Sequence, residues 1–179
     1  MPLPNEPRPQ PEWGSLQLLV LDVDGVLTDG SLFVTDDGVA SKRFSILDGA
    51  GLVYWKRAGF DVAIISGHSA PSTVSRMLTL GITDVQIGVK DKLAAFTEVI
   101  GRRAIGPERC AVMGDDLMDL PLLKRAGFAA VPPIAHDSCK RLAHYVTTTA
   151  AGHGAVREVV ELLLARKGLW DGIVESYLK

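Results

Sequence analysis

The chain has 179 residues, 47% hydrophobic and 22% charged, enough for one globular domain with its own core. Its 19 Lys and Arg against 21 Asp and Glu leave a net charge of -2 with no basic run, which argues against nucleic acid or an anionic membrane as partner. The two cysteines, Cys110 and Cys139, exclude a disulfide scaffold and lack paired zinc spacing, so a reducing compartment is expected.

Residues 1–14 carry five prolines and no apolar run, and read as a flexible lead-in that is neither signal peptide nor membrane anchor. Leu16 to Leu21 then forms a short apolar run ending in acidic and glycine residues, the pattern of a strand buried on both faces with a functional loop beyond it. Residues 31–44 read as a hairpin flap around Asp36-Asp37-Gly38. Further strands are predicted at Asp61 to Ile65, Asp84 to Ile87, Cys110 to Met113 and Phe128 to Val131.

Helical patterns lie between them at Ala50 to Ala58, Pro71 to Leu80, Lys92 to Arg103 and Asp119 to Ala126, with a last helix at Ala155 to Lys167. Gly59, Gly81, Gly127 and Gly168 stand where C-terminal caps belong, and Ser69 and Asp91 where N-caps belong. Alternating strand and helix implies an α/β fold with a parallel sheet. The domain is expected over residues 15–168, followed by a tail at 169–179.

Ligands of such sheets bind beyond the carboxyl ends of the strands, where four polar stations line up. The first is Asp22-Val23-Asp24-Gly25, two carboxylates two residues apart and able to face one pocket. The second is Ser66-Gly67, a hydroxyl with an adjacent backbone N–H that can approach a phosphate oxygen closely. Lys92 is a point positive charge, and Gly114-Asp115-Asp116-Leu117-Met118-Asp119 an acidic cluster with little reason to exist at a strand end unless a cation is bound.

Magnesium suits hard oxygen ligands, and Asp22 with Asp115 supplies the minimum of one or two carboxylates. Singly, these motifs read equally as turns, loops and solvated helix starts; the order acidic pair, Ser, Lys, acidic cluster makes coincidence improbable.

That order resembles the motifs of the haloacid dehalogenase superfamily, from about Leu16 to Lys167. The resemblance implies a Rossmann-like fold with a small β-hairpin flap in place of a large cap. It implies that Asp22 is the nucleophile forming an aspartyl-phosphate and that Asp24 is the general acid and base. It also implies that Asp22, the backbone carbonyl of Asp24 and Asp115 hold magnesium, that Asp119 orients those ligands, that Asp116 is either a further ligand or a support behind them, and that Ser66, Gly67 and Lys92 grip the phosphoryl group.

Within the superfamily, the segment Leu21 to Gly30, the segment Gly114 to Pro121 and Gly152-His153-Gly154-Ala155-Val156-Arg157-Glu158-Val159 look like the 3-deoxy-D-manno-octulosonate 8-phosphate phosphatase group. That likeness implies a cytoplasmic homotetramer in lipopolysaccharide biosynthesis, with flaps aiding assembly and a neighbouring chain closing each site over a small phosphorylated sugar acid. The group usually shows Arg where this chain has Leu47 and His153, each replacing a cation suited to a sugar carboxylate. His153 and Arg157 are candidate substrate contacts, while Arg57, Arg76 and His68 read equally as solvated residues.

Three other readings compete. The substrate is a nonulosonate 9-phosphate or another small phosphosugar; or the chain is a phosphoacceptor signalling module, although those carry their acidic pair and phosphorylated aspartate on different strands; or it is a catalytically silent regulatory relative.

Overall fold

The computed structural model describes residues 8–179. The chain runs β1 (Leu18–Leu21), β2 (Phe33–Val34), β3 (Ala40–Ser41), α1 (Ile46–Arg57), β4 (Asp61–Ile65), α2 (Pro71–Thr79), β5 (Val85–Gln86), α3 (Lys92–Gly101) and β6 (Cys110–Met113). It continues through α4 (Leu120–Arg125), β7 (Phe128–Val131), α5 (Asp137–Leu142), β8 (Tyr145–Val146), α6 (Ala155–Arg166) and α7 (Trp170–Ser176). Six strands form one parallel sheet in the order β5-β4-β1-β6-β7-β8, and β2 and β3 make a separate antiparallel hairpin.

Every residue of β1, β6 and β7 is buried, as expected for strands covered on both faces. Alternation along β1 sends Leu19 and Leu21 toward Leu52 and Trp55 of α1, Met77 of α2 and Val156 to Leu164 of α6. Leu18 and Val20 point the other way, into Phe96 and Val99 of α3, Leu122 and Leu123 of α4 and Cys139 of α5. Burying one such large side chain stabilises the fold by about 1.5–3 kcal/mol.

The register of this sheet positions the site. Leu21 pairs with Ile64 of β4 and Met113 of β6, so β1 and β6 end level, β4 runs one residue further, and the three release Asp22, Gly114 and Ser66 at the same edge of the sheet. The Asp22 N–H continues the ladder to the Met113 carbonyl at 3.0 Å.

α1 begins earlier than its apolar pattern predicts, because the Ser45 hydroxyl accepts from the N–H groups of Leu47 (3.1 Å) and Asp48 (3.4 Å). Gly49 and Gly51 lie inside the helix; a Cβ on Gly51 would stand 3.0 Å from the Arg157 Cα, so glycine lets α1 and α6 approach closely. Asp48, 1% exposed, completes this contact: its carboxylate accepts from the N–H of Gly154 (3.2 Å) and of Arg157 (3.0 Å), capping the start of α6 from another helix.

Other expectations need correction. Ala70, without a side-chain bond, occupies the N-cap of α2 in place of Ser69, whereas Asp91 does cap α3 through the Ala94 N–H. Gly127 is no left-handed cap: a Cβ there would stand 1.8 Å from the Glu108 carbonyl oxygen, so close backbone passage demands the glycine. The short elements α5 and β8 extend the sheet beyond the predicted strands. The tail contains α7, whose Trp170 ring meets Tyr54 at 5.9 Å.

Residues 1–7 of the expected lead-in lie outside the described residues. From Arg8 onward the segment is held: the Arg8 guanidinium donates to the carbonyls of Leu123, Ala126 and Leu142, each at 2.7 Å, where α4 and α5 leave theirs unpaired. Trp13 packs on Phe128 at 5.3 Å.

Asp48→Ala is expected to lower unfolding stability in urea by about 2 kcal/mol, because two N–H groups at the start of α6 lose their acceptor. Asp48→Asn, which keeps an acceptor oxygen, should lose clearly less, and equal losses would remove the capping argument.

Candidate active site

Asp22 and Asp24 flank Val23, whose side chain is buried and whose carbonyl accepts from the N–H groups of Val26, Leu27 and Thr28. This tight turn leaves both carboxylates lining one cleft of 230 Å³ with Ser66, Gly67, His68, Lys92, Asp115, Asp116, Met118 and Asp119. Gly25 turns the chain with φ +83°, and a Cβ there would stand 2.2 Å from Asp115 Oδ2. Glycine is therefore required both by the left-handed backbone and by the acidic side chain lodged against it.

Lys92, 5% exposed, sits between two carboxylates, with Nζ 2.9 Å from Asp22 Oδ1 and 2.7 Å from Asp119 Oδ1. Burial by itself would lower this ammonium, but Asp22 and Asp119 outweigh it and hold it above the usual lysine range. The second oxygen of Asp119 accepts from the N–H groups of Asp115 (3.1 Å) and Asp116 (3.3 Å), so Asp119 is fully engaged in shaping the loop.

Asp115 differs. Its Oδ1 is buried and has no hydrogen-bond partner among the described residues. Oxygens of Asp22, Asp115 and Asp119 all lie within 4.8 Å of one another. Burial, reinforced by the charges of Asp22 and Asp119, pushes the Asp115 carboxyl up to about 7. Burial and Asp119 push Asp22 up to about 6 against the pull of Lys92. An orphaned oxygen amid hard anionic donors suits a divalent cation such as magnesium, which would supply the charge these carboxylates lack.

Ser66, also lining the cleft, is buried, with its Oγ accepting from the His68 N–H at 3.3 Å. His68, read equally as a solvated residue, lines the cleft with Nδ1 3.9 Å from Asp24 Oδ2. Lys42 was not foreseen at all: it reaches from the flap and places Nζ 2.7 Å from both oxygens of Asp24. Only the packing of the hairpin against the first loop brings it there, and no spacing in the sequence signals that.

The other expected residues lie further out. Asp116 is exposed, and its side chain accepts from the Leu117 N–H at 2.8 Å, outside the three-carboxylate cluster. Arg157 turns away to lie over the rings of Tyr54 (4.6 Å) and Trp170 (5.4 Å), which ties α1, α6 and α7 together. His153 Nε2 meets Arg43 at 2.9 Å and borders a smaller pocket with Asp29, Pro133 and Ile134. Neither His153 nor Arg157 lines the cleft of Asp22. Arg76 contacts the Ser45 carbonyl at 3.5 Å, and Arg57 bonds the Tyr177 hydroxyl at 2.6 Å.

Residues 80–159 match the model of the haloacid dehalogenase-like hydrolase family. The 3-deoxy-D-manno-octulosonate 8-phosphate phosphatase of Escherichia coli is 41% identical over 157 residues, covering 88% of this chain and 84% of that protein. The Moraxella catarrhalis phosphatase of the same name, solved with magnesium, phosphate and the sugar acid, superposes with a TM-score of 0.90 at 35% identity over 92% of this chain and 95% of that one. The cobalt-bound Haemophilus influenzae deoxy-D-mannose-octulosonate 8-phosphate phosphatase has a TM-score of 0.88 at 31% identity, over 93% and 99%. With sequence likeness along most of its length and the same fold beneath it, the chain belongs to the haloacid dehalogenase-like hydrolase family.

Proposed function

We propose that this chain is a magnesium-dependent phosphatase that hydrolyses 3-deoxy-D-manno-octulosonate 8-phosphate through an aspartyl-phosphate. The observation that carries the reading is the pairing of Asp22 and Asp24 in one cleft with buried Lys92 and the orphaned Asp115 oxygen. Relatives named for this activity, one solved with magnesium, phosphate and the sugar acid, support the choice of substrate.

In this mechanism Asp22 attacks phosphorus while Asp24 protonates the departing sugar oxygen, and Asp24 then takes a proton from the water that cleaves the acyl phosphate. Lys92, already against Asp22, offsets charge as the nucleophile meets a phosphate dianion. Ser66 and the backbone at Gly67, in the same cleft, would bind the phosphoryl oxygens, and Asp119 fixes Lys92 and the Asp115 loop. Asp22, Asp115 and the Asp24 carbonyl would hold magnesium, which would supply the positive charge that a phosphate dianion and these carboxylates need.

A second reading keeps this chemistry and takes a nonulosonate 9-phosphate or another small phosphosugar. Exposed Leu47, with His153 outside the main cleft, favours it, since neither brings a cation to a sugar carboxylate there. Comparing kcat/KM across a panel of sugar phosphates separates the two.

We also infer a homotetramer. The flap exposes Phe33 (58%) with Leu32, Val34 and Val39, and Ile46 and Leu47 follow beside it, an apolar surface suited to copies of the same chain. Two buried free cysteines suit a reducing, cytoplasmic setting, and no helix among the described residues is long and apolar enough to cross a membrane.

Asp22→Asn should lower magnesium-dependent phosphate release at least about a thousand-fold while retaining the fold. Release that survives this change would remove Asp22 as nucleophile, and a folded wild type inert on every sugar phosphate would favour a regulatory module.

Both Asp22 and Asp115 sit above their ordinary 3.8, so each contributes stability that is complete below that value and is lost as pH rises through about 6 and about 7. The melting temperature of metal-free protein is therefore expected to fall between about pH 4 and about pH 7, and the gain on adding magnesium to grow over that range. A magnesium gain independent of pH would contradict the assignment of these ligands. Light scattering should report a tetramer that Phe33→Asp converts to smaller species.

A further inference from the structure

Lys42 has no part in the mechanism above, yet its placement is hard to explain as packing. It lies one residue past β3 on a hairpin whose strand residues are all exposed, where a lysine would ordinarily extend into water. Instead its side chain is 0% exposed, and Nζ stands 2.7 Å from each oxygen of Asp24. Its neighbour Arg43 goes elsewhere, to Asp29 Oδ2 and His153 Nε2, both at 2.9 Å. Adjacent residues of an extended segment face opposite ways, so the flap is pinned to the first loop at two separate points.

Fixing a long lysine side chain costs rotamer entropy, and burying an ammonium costs hydration. Asp24 is the sole hydrogen-bond partner of Lys42 among the described residues, so this one contact must offset both. An ammonium set against both oxygens holds the carboxylate plane in one orientation. Of its three N–H donors, two are used there and one is left.

We propose that Lys42 is the positioning residue for proton transfer, holding the Asp24 carboxyl group toward the leaving oxygen and making a seated flap a condition of that step. The inference rests on Asp24 being the general acid and base. In the first step the bond from Asp22 to phosphorus forms as the ester P–O bond breaks, and the Asp24 proton passes to the departing oxygen, which leaves as an alcohol. In the second, water adds to phosphorus, its proton passes to Asp24, and the Asp22–phosphorus bond breaks to release phosphate. Lys42 keeps its own protons throughout.

The test compares leaving groups. An aryl phosphate such as p-nitrophenyl phosphate departs as a stable anion and needs little protonation, whereas a sugar alkoxide needs the acid. Because kcat/KM reports only steps through the first irreversible one, it isolates phosphoryl transfer to Asp22. Lys42→Met keeps the buried stem and removes the ammonium; it is expected to lower kcat/KM for 3-deoxy-D-manno-octulosonate 8-phosphate by about 10- to 100-fold, and that for p-nitrophenyl phosphate by less than about threefold. Asp24→Asn should show the same asymmetry more strongly, and Lys42→Arg should recover most of the loss.

Equal losses on both substrates, or none, with an unchanged circular dichroism spectrum would overturn the role of Lys42 while leaving the phosphatase reading intact. If Asp24→Asn itself shows no asymmetry, the assignment of Asp24 fails and the inference fails with it. A Lys42→Met protein that does not fold is replaced by Lys42→Gln, for which the same asymmetry is required.

Discussion

Three carboxylates with oxygens within 4.8 Å of one another cannot share a half-buried pocket unless positive charge is built in or bound. Lys92 supplies one such charge, between Asp22 and Asp119. What remains uncompensated gathers on Asp115, whose Oδ1 lacks a partner among the described residues and whose carboxyl is driven up to about 7. The apolar sheet beneath supplies the low dielectric that makes the imbalance costly and a divalent cation and a phosphate welcome.

Much of the fold serves to hold this imbalance in place. Parallel pairing of β1 with β4 and β6 brings the three loops to one edge of the sheet, and tight closure after Val23 turns Asp22 and Asp24 into one cleft. Gly25 yields its side-chain space to Asp115. Asp119, through Lys92 and the N–H groups of Asp115 and Asp116, links the fourth station to the third. Further out, Asp48 caps α6 from α1, and the Gly152 N–H bonds the Val26 carbonyl at 3.2 Å, joining that helix pair to the back of the first loop.

The flap plays two parts with its two surfaces. Apolar side chains face outward and suit assembly, while Lys42 and Arg43 reach Asp24 and Asp29 on the loop that carries the chemistry. A small cap of this kind excludes little water alone. The outward apolar face and the contact with Asp24 thereby belong to one short segment.

The sequence by itself determined the parallel α/β fold and the four stations, because each depends on local order: an apolar run, then a polar residue at its end. Asp22, Asp24, Ser66, Lys92 and Asp115 could be named from that order, and the structure brings them into one cleft. Family likeness, read from Gly152 to Val159, pointed to Arg157, but a guanidinium lying on Tyr54 and Trp170 depends on how three helices pack. Gly51 makes room for the close approach of α6, more than 100 residues away, and Gly49 for Arg76 and Leu80 beside it, contacts that no local pattern announces. Lys42 and His68 stayed hidden likewise, since their meeting with Asp24 is set by the docking of a hairpin and a loop on a neighbouring strand end, contacts between distant segments that only the tertiary structure decides.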